Sequence, residues 1–158
     1  MQRNPVTPKG YELLLADLKR HKEILRPQVV KDIEEARAHG DISENSEYED
    51  AKERQAHIEG RVAWLEGQVA AADIIDVTRI EPSERVVFGT TVDLENAESG
   101  EERTYRIVGE AETDVNNGLI SWKSPLAKAI IGREVGDTAE VPAPGGVQVW
   151  EIIDVHYT

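Results

Sequence analysis

The feature that most constrains the fold of this chain is a heptad repeat in its first half. Eight mostly apolar residues recur alternately three and four positions apart: Tyr48, Ala51, Gln55, Ile58, Val62, Leu65, Val69 and Ala72. This spacing places them along one side of a single α-helix, and it is typical of a helix that packs against another in a coiled coil. About 30 helical residues at roughly 1.5 Å each would form an arm on the order of 45 Å long.

The partner helix is predicted to come earlier in the chain. Thr7 is a good N-cap and Pro8 a good first helical residue, and apolar residues follow at helical spacing as far as Ala36. Pro27 lies within this pattern and should kink the helix, because its ring removes one backbone hydrogen bond and clashes with the preceding turn. Two such helices joined by a short reversal form an antiparallel hairpin.

The reversal between the helices is predicted at residues 40–48, and it is rich in carboxylates. Gly40 favours the end of the first helix, because glycine readily adopts the left-handed conformation found at helix ends. Asp41, Ser43 and Asn45 could each cap the second helix by accepting backbone N–H groups. Four acidic residues lie in or next to this tip: Asp41, Glu44, Glu47 and Glu49.

The acidic tip has two interpretations that spacing alone leaves open. Asp41 and Glu44 are three residues apart, as in a variant of the capping box. Clustered carboxylates also suit Mg²⁺, which takes one or two protein carboxylates and keeps several waters, so the tip could complete a metal site in another macromolecule. Arg37 and Lys52 flank the tip and could either pair with neighbouring glutamates or contact a nucleic-acid phosphate.

The second half of the chain has the period of β-strands rather than helices. Residues from Val86 to Leu94 alternate as in a half-buried strand, and Ser124 with Pro125 predicts the start of a short helix. Further strands are predicted at residues 104–108, 119–122, after Gly136 and at 147–156. We therefore predict an α+β protein. It has an antiparallel coiled-coil hairpin at 1–76, a linker at 77–84, and a curled antiparallel sheet with one short helix at 85–158.

Composition excludes several classes of function. The net charge of −13 lacks the basic footprint of an autonomous duplex-nucleic-acid binder, and the absence of cysteine excludes thiol chemistry. No segment resembles a signal peptide or a membrane span, so a cytoplasmic protein without a membrane partner is expected. The histidines have no metal-ligand spacing and predict no metal site: His21, His39, His57 and His156.

A set of short motifs spread over the whole chain carries a family resemblance. The motifs are Glu35-Ala-Arg37, His39-Gly-Asp41, Glu44-Asn45, Glu47-Tyr48, Ala51-Lys-Glu53, Val86-Val-Phe-Gly89, Tyr105-Arg-Ile-Val-Gly109 and Ser124-Pro125. They resemble those of the bacterial GreA/GreB family of transcript cleavage factors. Departures are mild: Ile42 where leucine is common, Ser46 where alanine is common, and lysine at position 52.

The resemblance implies that the hairpin enters the secondary channel of a backtracked RNA polymerase. Asp41 and Glu44 would then help to hold a catalytic Mg²⁺ and a water, and the polymerase's own active site would hydrolyse the RNA near its 3′ end. The isolated protein would hold no cofactor, would not be an enzyme, and is expected to be a monomer. Arg37 and Lys52 are assigned to RNA contact.

The second domain would have an FKBP-like fold and would dock on the rim of the channel. The docking residues implied by the resemblance are Ser121, Ser124 and Pro125. Two other functions stay open: a channel-binding inhibitor without cleavage activity, and a peptidyl-prolyl isomerase. Asp41 and Glu44 argue against the inhibitor, and the sparse aromatic residues of the second half argue against the isomerase.

Overall fold

The computed structural model describes residues 3–39 and 45–158, which form two compact units. One unit lies within Tyr11–Ala72, and the other comprises Arg3–Gly10 and Asp73–Thr158. The helices are α1 (Pro8–Arg20), α2 (Arg26–Ala38), α3 (Ser46–Ala71) and α4 (Pro125–Ile130). The strands are β1 (Asn4–Val6), β2 (Ala72–Ile74), β3 (Thr91–Asn96), β4 (Glu102–Val108), β5 (Leu119–Ser121), β6 (Thr138–Ala143) and β7 (Gly146–His156). Within the described ranges, no helix combines the length and apolarity needed to cross a membrane.

The first unit is the helical hairpin that the heptad repeat predicts. Helix α2 packs against α3 and buries Val29, Ile33 and Ala36. On α3 the heptad residues Val62 and Leu65 are buried, and Leu65 is fully so. Three- and four-residue spacing therefore does place the apolar side chains on the face that meets the partner helix.

A turn of π-helix, His21–Leu25, joins α1 to α2 just before Pro27. The N–H of Arg26 donates to the carbonyl of His21, five residues back instead of the usual four. Pro27 has no N–H to donate, and its ring would collide with the carbonyl four residues earlier in a regular helix. A wider turn at this point is a common way to absorb such a conflict, and the irregularity expected at Pro27 takes this form.

The second unit contains a five-stranded sheet with the strand order β5-β4-β3-β7-β6. All neighbouring strands are antiparallel except β4 and β5, which run parallel with Ile107 opposite Ile120. The connection between them contains two 3₁₀ turns that carry the chain back before β5 begins. The α+β class is confirmed, and the sheet is mixed rather than wholly antiparallel.

The core of the second unit lies between this sheet and helix α4. Two residues of α4, Ala127 and Ile130, are fully buried together with Leu94, Ile107 and Ile152 of the sheet. Strand β7 is paired on both sides; its residues Trp150 and Ile152 are buried, whereas Val147 and Ile153 are exposed.

The residues that precede α1 belong to the second unit, although the predicted hairpin at 1–76 included them. Strand β1 pairs with β2, and Thr7 caps α1 as predicted, since its Oγ1 accepts the N–H of Gly10 at 3.0 Å. The Glu112 carboxylate accepts the Thr7 hydroxyl, the Thr7 N–H at 3.3 Å and the Gly109 N–H at 3.2 Å. This network fixes the start of α1 to a turn about one hundred residues later.

Candidate functional site

The candidate site is the end of the hairpin, where α2 stops at Ala38 and α3 begins at Ser46. The predicted ligands Asp41 and Glu44 lie outside the described residues. The structure describes the two ends of the connection, His39 and Asn45, and the helix turns next to them.

Asn45 joins the two helices at this end of the hairpin. Its Oδ1 accepts the N–H of Tyr48 at 3.1 Å, which caps the first turn of α3. Its Nδ2 donates to the carbonyl of Ala36 at 2.6 Å, and this carbonyl, in the last turn of α2, also accepts the N–H of His39 at 3.2 Å. An amide carries both a donor and an acceptor, so one side chain serves both helix ends.

This arrangement decides which of the three predicted caps is used. Helix α3 begins immediately after Asn45, so the N-cap is Asn45 and not Asp41 or Ser43. The sequence identified Asn45 as a possible cap. Its second bond, to Ala36 on the other helix, depends on how closely the helices approach and left no signal in the sequence.

A groove between α2 and α3 is lined by both predicted RNA-contacting residues, Arg37 and Lys52. Its volume is about 190 Å³, and its lining also includes Glu34 and Gln55. The Nζ of Lys52 donates to the Oε1 of Gln55 at 3.1 Å. Among the described residues neither Arg37 nor Lys52 forms an ion pair, so the expected pairing with helix neighbours does not occur there. The structure brings these two cations together on one groove.

A second groove between α2 and α3 is lined mainly by acidic residues. It has a volume of about 440 Å³ and is lined by Asp32, Glu35, Ala36, His39, Glu47, Asp50, Ala51 and Arg54. His39 and Glu47 lie 3.4 Å apart across the tip, and Arg54 contacts Asp32 at 3.1 Å. Hydrogen bonds from Gln28 and from Arg54 hold the pKa of Asp32 below its ordinary value. The hairpin therefore presents cations in one groove and mostly carboxylates in the other.

Ion pairs join α3 to both α1 and α2. Arg26 and Glu59 form a two-pronged pair with N–O distances of 2.7 and 2.8 Å, and Arg61 contacts Asp17 at 2.9 Å. The guanidinium of Arg61 also lies 4.5 Å from the ring centre of Trp64. These contacts add to the apolar packing that keeps the helices in register.

The predicted docking residues Ser121, Ser124 and Pro125 share one turn in the second unit. The N–H of Ser124 donates to the carbonyl of Ser121 at 2.9 Å, and the Ser124 hydroxyl caps α4 by accepting the Ala127 N–H at 3.2 Å. Pro125 is exposed at the first turn of α4, and Lys123 lies over the ring of Trp122 at 5.4 Å. Two hydrogen bonds fix the turn and Pro125 is exposed, while the Nζ of Lys123 also lies 3.5 Å from Oε1 of Glu110.

Comparisons with known proteins agree with this architecture. A family model described as "Transcription elongation factor, N-terminal" matches residues 4–74, and one described as "Transcription elongation factor, GreA/GreB, C-term" matches residues 81–157. Transcription elongation factor GreA of Neisseria meningitidis serogroup A is 54% identical over 99% of both chains. The protein of that name from Anaeromyxobacter sp. (strain K) is 55% identical over 99% of this chain and 94% of its own.

A solved structure also aligns with nearly the whole chain. It is the crystal structure of GreA factor homolog 1 of Thermus thermophilus, with 30% identity, coverage of 98% of this chain and 99% of that chain, and a TM-score of 0.45. The family models cover most of both units, and the two curated relatives match at more than half of all positions. This chain therefore belongs to the GreA/GreB family of transcription elongation factors.

Proposed function

We propose that this protein is an accessory factor that stimulates RNA polymerase to cleave backtracked RNA with its own active site. The hairpin would enter the secondary channel, and the protein alone would have no hydrolytic activity. The observation that carries the proposal is the pair of hydrogen bonds made by Asn45, which caps α3 and binds the end of α2. The N-cap of α3 is Asn45, so neither Asp41 nor Glu44 is needed in that position.

The length of the hairpin supports this mode of action. Helix α3 has 26 residues, which corresponds to about 39 Å at 1.5 Å per residue. An arm of that length, with a narrow two-helix cross-section, is suited to carrying a few side chains deep into another macromolecule. Apolar packing of α2 against α3 and ion pairs between the helices hold the arm together.

Asp41 and Glu44 are proposed as ligands that the protein lends to the polymerase. Two carboxylates are too few to enclose a metal, but they match Mg²⁺, which is usually held by one or two carboxylates and retains waters. When bound, the ion would lower the pKa of a coordinated water and orient it for in-line attack on the phosphodiester. The remaining ligands would come from the polymerase, so the isolated protein would have no activity.

Arg37 and Lys52 are proposed to contact the RNA. They line one groove near the end of the hairpin, so both could contact the same nucleic-acid backbone. The carboxylates of the second groove would repel RNA. This difference in polarity would direct the RNA end to one side of the tip.

The turn at Ser121, Ser124 and Pro125 is proposed to dock on the rim of the polymerase channel. Its supporting features are the exposed proline and the capped, rigid start of α4. Docking through a rigid turn costs little conformational entropy, which favours binding.

The test is to add the purified protein to a backtracked elongation complex in the presence of Mg²⁺ and to follow the labelled RNA. The proposal predicts that the transcript is shortened at its 3′ end when both protein and polymerase are present, and in no mixture lacking either. Binding to polymerase without cleavage would contradict the proposal and would favour a channel-binding inhibitor.

A further inference from the structure

A cluster of two carboxylates and one imidazole lies on the sheet of the second unit, in a part of the molecule that the proposed function does not use. It consists of Asp93 on β3 with Asp154 and His156 on β7, and one ligand atom of each lies within 4.8 Å of the others. We propose that these three side chains form a binding site for a divalent transition-metal ion of the zinc type.

The distances between the donor atoms fit a shared ion. The Nε2 atom of His156 lies 2.9 Å from Oδ2 of Asp93 and 3.6 Å from Oδ2 of Asp154. Two donors bound about 2.0–2.1 Å from one tetrahedral ion stand roughly 3.3 Å apart. Both His156 distances lie within about 0.4 Å of this value, and the two carboxylates, whose ligand atoms lie within 4.8 Å of each other, would have to close on the ion.

A β-bulge brings the two carboxylates together. Leu94 pairs with Ile152 whereas Asp93 pairs with Asp154, so Ile153 is an extra residue in β7. Regular pairing would place Ile153 opposite Asp93 instead. Like charges directly opposite each other on a sheet are destabilising, so the two carboxylates favour a positively charged neighbour, which His156 or a bound cation can supply.

The neighbouring residues strengthen the case for a cation. Glu95, two residues along β3 on the same face as Asp93, lies opposite both Glu102 and Glu151. The hydroxyl of Thr104 donates to Oδ1 of Asp93 at 2.7 Å, which orients the carboxylate and leaves Oδ2 directed at the cluster. Hydrogen bonds of this kind commonly orient metal ligands and raise the affinity of the site.

The donor types indicate which ion would bind. Imidazole nitrogen suits zinc and similar transition ions, whereas Mg²⁺ and Ca²⁺ prefer oxygen ligands throughout. Three protein ligands leave one position of a tetrahedral ion for water, and all three side chains are exposed enough for water to reach them. The site would therefore bind zinc in preference to the Mg²⁺ used by the polymerase.

The experiment is a titration of the untagged full-length protein with ZnCl₂ by isothermal calorimetry, at a constant excess of MgCl₂. The parent should bind zinc at this site, and His156→Gln should weaken that binding at least tenfold. The matched control is His57→Gln, which removes an exposed histidine from α3 and should leave binding unchanged. Thr104→Val, which removes the hydrogen bond to Asp93 but keeps a β-branched side chain, should cause a smaller loss.

The location is checked by NMR, from the amide signals that move when zinc is added. Shifts centred on Asp93 and on residues 154–156 support the proposal. Equal affinities of the parent and His156→Gln, or shifts that leave β3 and β7 unmoved, would overturn it. Neither outcome depends on RNA cleavage, so the test is independent of the proposed function.

Discussion

At the scale of single residues, Asn45 shows how one side chain can join the ends of two helices. An aspartate at this position would cap α3 equally well, because asparagine and aspartate are similar N-caps. It could not donate to the Ala36 carbonyl, which lies 2.6 Å from the amide nitrogen. The amide, rather than the capping oxygen, is the part of Asn45 that joins the two helices.

Asn45→Asp is therefore expected to destabilise the hairpin although it preserves the cap. The variant loses one hydrogen bond and places a carboxylate oxygen against a carbonyl oxygen, at a cost on the order of 1 kcal/mol or more. Urea unfolding followed by circular dichroism would measure the difference. Equal stability of the two proteins would show that Asn45 acts only as a cap.

At the scale of helices and strands, the start of α1 illustrates a capping arrangement completed by a distant residue. In a capping box the N-cap N–H is accepted by a glutamate three residues later, but here that position is Gly10. The Glu112 carboxylate takes the place of that glutamate and accepts the Thr7 N–H at 3.3 Å. A Cβ at Gly10 would lie 2.2 Å from the Glu112 side chain, so only glycine leaves room for it.

A glycine-to-alanine substitution should therefore change the stability of the protein in opposite directions in α1 and in α3. A Cβ added at Gly60 in α3 would meet no neighbouring side chain within 4 Å, so Gly60→Ala should stabilise the protein by about 0.5–1 kcal/mol. Gly10→Ala should destabilise it, because Glu112 must move and its bonds to Thr7 are lost. Thermal unfolding of both variants against the parent tests this, and stabilisation by Gly10→Ala would contradict the capping role of Glu112.

The ion pair between Arg26 and Glu59 should make the hairpin sensitive to acid. Hydrogen bonds from Arg26 lower the pKa of Glu59 from its ordinary value of 4.5. A carboxyl group with a lowered pKa stabilises the folded state above its ordinary pKa, and this stabilisation is lost as the pH falls through the lowered value.

Glu59→Gln should therefore lower the melting temperature at pH 7, and this effect should shrink as the pH falls below 4.5. The measurement is the difference in melting temperature between parent and variant across this range. A difference in melting temperature that stays constant with pH would show that the charge of Glu59 does not contribute to stability.

Periodicity predicted the hairpin and most of the sheet, but not strands β1 and β2, and contacts between distant residues account for what it missed. The heptad spacing from Tyr48 to Ala72 predicted the hairpin, because packing two helices requires an apolar seam. The parallel pairing of β4 with β5 depends on the path of the intervening chain, which alternation of apolar residues does not encode.

The two candidate sites also differ in whether their residues are close together in the sequence. The residues of the tip were found through motifs adjacent in sequence, whereas the cluster of Asp93, Asp154 and His156 requires a bulge and two strands about sixty residues apart. Histidine spacing along the chain gave no indication of it.

At the scale of the whole molecule, the chain combines a helical arm with a sheet unit that carries a rigid, exposed turn. The net charge of −13 argues against independent binding to nucleic acid, so its action on RNA is expected to depend on a partner. In the proposed mechanism the sheet unit supplies binding to polymerase and the tip supplies ligands for catalysis. These two contributions should be separable by mutation.

The most direct measurement is RNA cleavage by backtracked polymerase with Asp41→Asn, at matched occupancy of the polymerase and fixed Mg²⁺. The substitution keeps the size of the side chain and removes the charge proposed to hold the metal. Asp41→Asn should compete with the parent for polymerase nearly equally and lose cleavage stimulation by about tenfold or more, since each 1.4 kcal/mol of transition-state stabilisation is worth a factor of ten. Full stimulation by Asp41→Asn would contradict the proposed role of the tip.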